Sequence, residues 1–509
     1  MSRINTNVTS LIGQRVLQNN TLSLSGSLER LSTGLRINRG KDDPAGLIAS
    51  EALRSEAKGI NQAISNAERA DQVASIAEGG LQEISGLLTE LQGLVTNTAN
   101  TAGLSDSEKR ANQLQVDSIL QTIDRVANAT SFQGLRLLNG SFDYSTNSVS
   151  TNSIASFAVN GAKLNFGATR AVNALVTQSA QVGQLLLSLG NSTLQLGGTN
   201  GTFVFQISGN KGSRELSFSS GTSVANIIAT INTFKDVTGV SATASGTTGI
   251  RASSVDFGRA GFVAIKVVTP SSVGGSGIYQ YNATNANTAN TGSAVAFSAA
   301  INGVRDAGQD LGATINGITA TTQGKVARIN TDFLDVQIEL TTGAAQTLAA
   351  QINAFTISGG GADFQLAGNV DIGGKVSIGI GNVAVRELGR QTVSGAVESL
   401  ASLAAGRKLN VVDGNIAGAQ TVVSSSIAAV SQLRGRLGAF QKNTVGATIR
   451  SLGVSFENTT AAESVIRDAD FATETAGLTR SQILVQSATQ ILQLANSQPQ
   501  AVLSLLRGG

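Results

Sequence analysis

Cysteine, histidine and tryptophan are absent from all 509 residues, and Met1 is the only methionine. No disulfide, catalytic thiolate or histidine-ligated metal can form in such a chain. Charge is scarce as well. Only 14% of residues are Asp, Glu, Lys or Arg, against roughly 25% in ordinary soluble domains. A surface made instead of Gly, Ser, Thr and Asn suits burial in a polymer. The net charge of +3 is spread without a basic block, so the chain offers no nucleic-acid footprint. No apolar run is long enough for a membrane span, and MSRINTNVTSLIGQRV lacks the apolar core and small-residue cleavage site of a secretory signal. No membrane insertion is expected, and export, if it occurs, takes another route.

What is present is apolar residues, 41% of the chain, enough for several cores. Leu17, Leu24, Leu28, Leu31 and Leu35 fall at helix-packing spacing, and Leu484, Ala488, Ile491 and Ala495 repeat it at the other end, next to Leu492 and Leu494. The two stripes predict terminal helices that pair, with a break in register near Gly13. Each stripe is narrow and backed by Ser, Asn and Gln. Such ends bury too little to offset an ordering entropy of roughly 1 to 2 kcal/mol per residue, so they are expected to order in an assembly.

Between the ends, NRGKDDPAG predicts a hinge: Pro44 disfavours helix at Asp43, and Gly40 and Gly46 loosen the chain. The adjacent Asp42 and Asp43 read as caps and local ion partners rather than as a metal site. From Leu53 to Val95 a four-three spacing predicts one long helix, interrupted in polarity at Asp71, and Ser105 to Glu108 is a capping box for the next. TSFQGLRLLNGSF reads as a hairpin. The β-type runs FVFQIS, FVAIKVV and FLDVQIEL mark strands in a Gly/Thr/Ser/Asn-rich middle. TSVANIIATINTF resembles AAQTLAAQINAF, and AINGV echoes TINGI, which suggests a repeated small α+β unit. Helical period returns near Asn415 with Val423, Ile427, Val430, Leu433, Leu437, Phe440, Val445, Ile449, Leu452 and Phe456. IRDAD punctuates it, and a last stripe runs to Pro499. The Gly clusters GGTNG and SGGGAD lack the phosphate-loop spacing and read as turns.

LSTGLRINRGKDDPAGLIASEALRSE, SFQGLRLLNG and IRDADFATETAGLTRSQILVQSATQILQLANSQPQAVLSLLR closely resemble bacterial flagellins, over about the first 170 and last 110 residues. The resemblance implies a mainly α fold with inserted α+β and β outer domains. Residues 1–44 and 462–509 would be terminal helices of an inner filament core, 45–178 and 396–461 a helical bundle with a hairpin, and 179–395 a surface-exposed, β-rich variable insert of two subdomains. It further implies a homopolymer that meets filament cap and junction proteins, a type III export apparatus with a chaperone at the C-terminus, an extracellular filament, and no cofactor or metal. A hook-filament junction protein is the alternative. Some flagellins carry a peptidase of the HExxH zinc type in the insert, and a chain without histidine cannot build that site.

Flagellins sensed by a Toll-like receptor carry Gln-Arg-Val-Arg-Glu-Leu-Ala-Val-Gln on the first bundle helix. The flanking Asn-Thr-Ala-Asn aligns Thr89, Glu90, Leu91, Gln92, Gly93 and Leu94 with its first six positions. Glu90 stands where the family has a cation, Gln92 where it has another Arg, and Gly93 where it has Glu.

Overall fold

The computed structural model describes residues 6–507 apart from 101, 166, 198–200, 270–272, 274, 276, 283–284, 290–293 and 350. In chain order, helices α1 (Val8–Thr33), α2 (Pro44–Thr98) and α3 (Asp106–Ala129) come first. Strands β1 (Tyr144–Asn147), β2 (Ile154–Ala162) and β3 (Arg170–Gln178) follow. Next are β4 (Val182–Ser188), β5 (Thr202–Ser208), β6 (Ser213–Ser219), helix α4 (Val224–Thr233), β7 (Val240–Ser245), β8 (Gly249–Phe257), β9 (Phe262–Thr269), β10 (Gly277–Asn282), β11 (Asn285–Ala289) and β12 (Val304–Ala307). Then come β13 (Gly312–Ile315), β14 (Ile318–Thr319), β15 (Thr321–Gln323), β16 (Val326–Asn330), β17 (Leu334–Leu340) and β18 (Gln351–Gly360), before helices α5 (Ile416–Ala439), α6 (Gly446–Arg467) and α7 (Phe471–Arg507). The chain divides into two compact units, cut within α2 after Ser75 and in the return helix after Arg434, with Phe364–Lys375 belonging to the unit of the termini.

In the unit of the termini, Asp43 accepts from Gly46 N at 2.9 Å and so caps the first turn of α2, while Asp42 accepts from Arg39 N at 2.9 Å. The acidic pair is spent on the backbone. Further along, Gly59 and Gly368 pack backbone to backbone, a Cβ on Gly368 coming 3.1 Å from Gly59 C. The return helix changes pitch at Phe440–Val445, one turn of π-helix between α5 and α6. That extra residue keeps both Phe440 and Val445 buried although they are five positions apart. Gln441 there donates to Ser75 Oγ at 2.8 Å and to Asp71 Oδ1 at 3.2 Å, which explains the polar break in the α2 stripe. The last helix continues through Pro499 to Arg507, beyond the end of the sequence stripe. A proline removes one backbone donor and disfavours but does not forbid a continuous helix.

In the other unit, the expected capping box starts α3: Glu108 N donates to Ser105 Oγ at 3.3 Å and Ser105 N donates to Glu108 Oε2 at 2.7 Å. Gln113, buried on α3, donates to Leu403 O and accepts from Val411 N, tying the chain that leads into α5. Ser131–Phe132 and Leu135–Arg136 form a hairpin, and Leu138 beyond it lies within 3 Å of where a Gly80 Cβ would be.

The β-rich part starts at Tyr144 rather than at residue 179, because β1 to β3 pair with strands from beyond residue 310. Two antiparallel sheets, β14-β13-β3-β18-β1 and β15-β16-β17-β2, enclose one core. In β17 the alternation is plain, Leu334, Val336, Ile338 and Leu340 being buried between Asp335, Gln337 and Glu339. A second pair, β11-β10-β4-β8-β7 and β12-β9-β5-β6, encloses another core with Phe203, Phe205 and Phe218 at its centre. This second sandwich is nested in the chain between β3 and β13. The apparent repeat is not a structural one. TSVANIIATINTF is helix α4 behind the Ser223 cap, with Val224, Ile227 and Ile231 buried at helical spacing. In the similar AAQTLAAQINAF, QINAF instead begins strand β18, where Ile352 and Ala354 alternate inward. AINGV forms a 3-10 turn, whereas Asn316 and Gly317 of TINGI, at φ 51° and 81°, make the tight turn joining β13 to β14.

Candidate assembly interface

Helices α1 and α7 pair antiparallel, 10 facing 496, 13 facing 492, 20 facing 484, 23 facing 481 and 30 facing 474. The seam is made of small residues. Ser10, Gly13 and Ser27 on α1 and Ser481, Ala488 and Ala495 on α7 are the buried ones. Their positions step by three and four with half-buried Leu17, Asn20, Leu24, Leu31, Val485 and Leu492 between them. Gly13 therefore does not break the helix. It is a point of close approach, where a Cβ would sit 3.3 Å from Leu492 Cδ1.

Polar groups fix the register along the same seam. Asn7 Nδ2 donates to Ala495 O at 2.8 Å, Ser10 Oγ to Asn496 Oδ1 at 2.7 Å, and Arg30 Nη1 to Glu474 Oε1 at 2.6 Å. Where the helices end, Gly34 turns the chain at φ 71°. Arg36 N then donates to Arg467 O at 2.7 Å and Ala469 N to Gly34 O at 2.9 Å, so the two connecting segments run as an antiparallel pair. Asp470, accepting from Thr473 Oγ1, Thr473 N and Ala472 N, opens α7, and these bonds hold its carboxyl below the usual range.

Among the sequence-predicted residues, Leu17, Leu24, Leu31, Ala488, Leu492 and Ala495 meet in this seam. Leu35 lies past the end of α1 in the connecting pair. Leu28 is 48% exposed, and Leu484, Ile491 and Leu494 are 45%, 60% and 63% exposed, outside the buried row of the seam. Val8, Leu11, Ile12 and Val16 on α1 and Ile483 on α7 are exposed too. The stripe of large residues and the seam differ in phase because the closest approach of two helices selects small side chains, which carry little hydrophobic signal. On α2, Leu91 is fully buried, Gln92 and Leu94 are half-buried, and Thr89, Glu90 and Gly93 are exposed.

A terminal helix pair that joins through small residues and leaves Leu28, Leu484, Ile491 and Leu494 exposed offers apolar surface to a partner. The chain matches the bacterial flagellin N-terminal helical region over residues 4–143 and the bacterial flagellin C-terminal helical region over residues 421–506. It is 30% identical over 528 residues to the B-type flagellin of Pseudomonas aeruginosa, with 99% of each chain covered. With the flagellin of Salmonella typhimurium it shares 30% identity over 532 residues, again covering 99% of both. A solved structure of the flagellar cap protein FliD D1-D2-D3 domains from Escherichia coli is 14% identical, covering 55% of this chain and 64% of that one, at a TM-score of 0.26. So low a score adds nothing to the assignment. The chain belongs to the bacterial flagellin family, a family of structural proteins. It is a subunit of the flagellar filament and serves motility. Among the described residues no helix is long and apolar enough to cross a membrane.

Proposed function

We propose that the outer faces of the α1/α7 pair carry the polymer, and that residues 1–44 and 462–509 form its inner core. The observation behind this is the set of large apolar side chains left exposed there: Leu28, Leu484, Ile491 and Leu494 with Val8, Leu11, Ile12 and Val16. Leu17, Leu24, Leu31, Ala488, Leu492 and Ala495 hold the pair together, and Leu35 shapes its exit. The helices of 45–143 and 396–461 build the surrounding rod. The two sandwiches form the solvent-facing part, with no catalytic role. The subunit is secreted through the flagellar type III apparatus, met by an export chaperone at its C-terminus, and its filament ends against junction and cap proteins.

Receptor recognition is weak on this reading. Glu90 places a carboxylate where recognised flagellins place a cation, and loss of an interface Arg anchor typically costs about 2 kcal/mol or more. Seeded polymerisation of the purified chain, followed by electron microscopy, tests the central claim. Long regular filaments are expected from the full chain, and none from a chain lacking residues 1–44. Filaments from the shortened chain would refute the assignment of the core.

A further inference from the structure

The chain passes between the enclosing and nested sandwiches twice, at Gln181 and at Gln309, and the crossing is not built as a linker. Gln181 N donates to Gln309 O at 2.8 Å and Gln309 N to Gln181 O at 3.0 Å, while Gly258 N reaches Gln181 O at 3.0 Å and Gly308 N reaches Gly261 O at 2.8 Å. Glycines allow the backbones to touch: a Cβ on Gly308 would lie 2.5 Å from both Gln181 O and Gly258 O, and one on Gly183 would lie 2.7 Å from Asp306 O.

Buried polar side chains are concentrated here. Ser179, Gln181, Gln184 and Ser254 are all less than a tenth exposed. Gly183 N donates to Ser254 Oγ at 3.0 Å, Ser254 Oγ donates to Asp256 O at 2.8 Å, and Gln309 Nε2 donates to Ser179 O at 2.9 Å. Two acceptors are left over, since Gln181 Oε1 and Gln184 Oε1 are buried with no partner among the described residues. Asp306, half-buried and far off in sequence, accepts from Gln184 N at 2.7 Å. Ionised, it is one more acceptor in a place already short of donors; protonated, it becomes a donor.

We propose that this waist is a proton-operated joint, in which protonation of Asp306 tightens the crossing and ionisation loosens it. The hydroxyl so formed supplies the missing donor, with Gln184 Oε1 as its natural acceptor because Gln184 already binds Asp306 through its backbone. Among the described residues no opposing charge pins the carboxylate. On its own strand Arg305 lies 4.2 Å over the Phe262 ring; Val263 stands opposite on β9; β4 brings uncharged Gln184. At the end of β8 Asp256 is held by Asn210, and in the β8–β9 turn Arg259 faces Asp310 at 3.8 Å. Burial accordingly pushes the Asp306 carboxyl above its ordinary range, partly opposed by the backbone N–H groups of Gln184 and Ala307. The sign follows: a raised carboxyl is a strain on the fold while ionised, and the strain is relieved as pH falls through the folded value.

The absence of cysteine makes the test direct. Spin labels at Thr243→Cys on the nested sandwich and Thr321→Cys on the enclosing one report the distance between them in the full-length free subunit. The distribution is expected to narrow by at least about twofold from about pH 7.5 to about pH 4.5. In Asp306→Asn, which keeps an acceptor for Gln184 N and cannot ionise, it should be narrow at both. A wild-type width independent of pH, or the same pH response in Asp306→Asn, overturns the proposal. Should that variant fail to fold, amide exchange in the unlabelled chain decides: protection of Gly183 and Gln184 must rise on acidification beyond the intrinsic rate, and unchanged protection sinks the joint.

Discussion

Leu494→Asp and Leu492→Asp separate polymerisation from subunit folding although the two positions are neighbours. Leu494 is 63% exposed, so its side chain makes little of its possible burial within the subunit, whereas Leu492 packs on Gly13 in the seam. Fully burying a leucine is worth about 1.5 to 3 kcal/mol, so covering the exposed two-thirds of Leu494 on assembly contributes about 1 to 2 kcal/mol. An aspartate there forfeits that gain and adds the cost of a carboxylate enclosed without a partner, several kcal/mol more. A total of at least about 3 kcal/mol corresponds to a rise of about 100-fold in the critical concentration for polymerisation.

The assay is seeded growth with sedimentation of polymer at increasing subunit concentration, alongside far-ultraviolet circular dichroism of the free subunit. Leu494→Asp should leave the dichroism unchanged while abolishing growth at wild-type working concentration. Leu492→Asp should also loosen the α1/α7 pair itself, seen as faster amide exchange in both helices of polymer collected at high subunit concentration. Unchanged critical concentration for Leu494→Asp would refute the assignment of the outer face.

Gly80→Ala and Gly86→Ala should move stability in opposite directions: a Cβ on Gly80 comes 2.5 Å from Thr130 Oγ1 and 2.9 Å from Leu138 Cδ1, whereas nothing lies within 4 Å at Gly86. Alanine gains about 1 kcal/mol of helix propensity at either site and loses about 1 to 3 kcal/mol to overpacking at Gly80 alone, so thermal melts with the same sign would count against the hairpin packing. Removing 182–308 and closing Gln181 to Gln309 with a two-residue turn should leave a folded, polymerising chain, because those two residues are already antiparallel partners; loss of cooperative melting would show that the enclosing sandwich depends on the nested one. A wider cut from 198 to 381 should fail, since it strips β1 to β4 of their partner strands. In a receptor reporter assay the free subunit should signal weakly, and Glu90→Arg with Gly93→Glu should recover part of the response; a full response from the unaltered chain would contradict the site reading.

Much of the helical frame is legible in the sequence because a long periodic stripe leaves few alternatives. The step of five from Phe440 to Val445, between steps of three and four, is the π-turn written in residue spacing. The Ser105–Glu108 box is local chemistry and folds as local chemistry. The seam of the terminal pair is less legible, since hydrophobic periodicity finds Leu28, Leu484 and Ile491, while the approach of the helices depends on Ser10, Gly13 and Ser481. The nesting of one sandwich in another is not legible at all: it rests on pairings such as β3 with β18, whose partners are more than 170 residues apart. The likeness of TSVANIIATINTF to AAQTLAAQINAF misleads for the same reason, as the inward positions are set by distant partners rather than by shared letters.

The small-residue seam also bears on why flagellin ends would order only on assembly. Serine, glycine and alanine bury little apolar area, and the hydrogen bonds from Asn7, Ser10 and Asn20 each contribute about 1 kcal/mol net at most in a solvated setting. The Arg30–Glu474 pair, with Arg30 side chain 41% exposed, adds about 0 to 1 kcal/mol. These contacts specify which residues face each other. They are small against an ordering cost of roughly 1 to 2 kcal/mol per residue over two helices. The large apolar side chains that could offset it point away from the seam, so on the proposed reading their burial waits for a neighbouring subunit. On that reading register is encoded within one chain and stability between chains, and the ends would stay unfolded until a filament receives them.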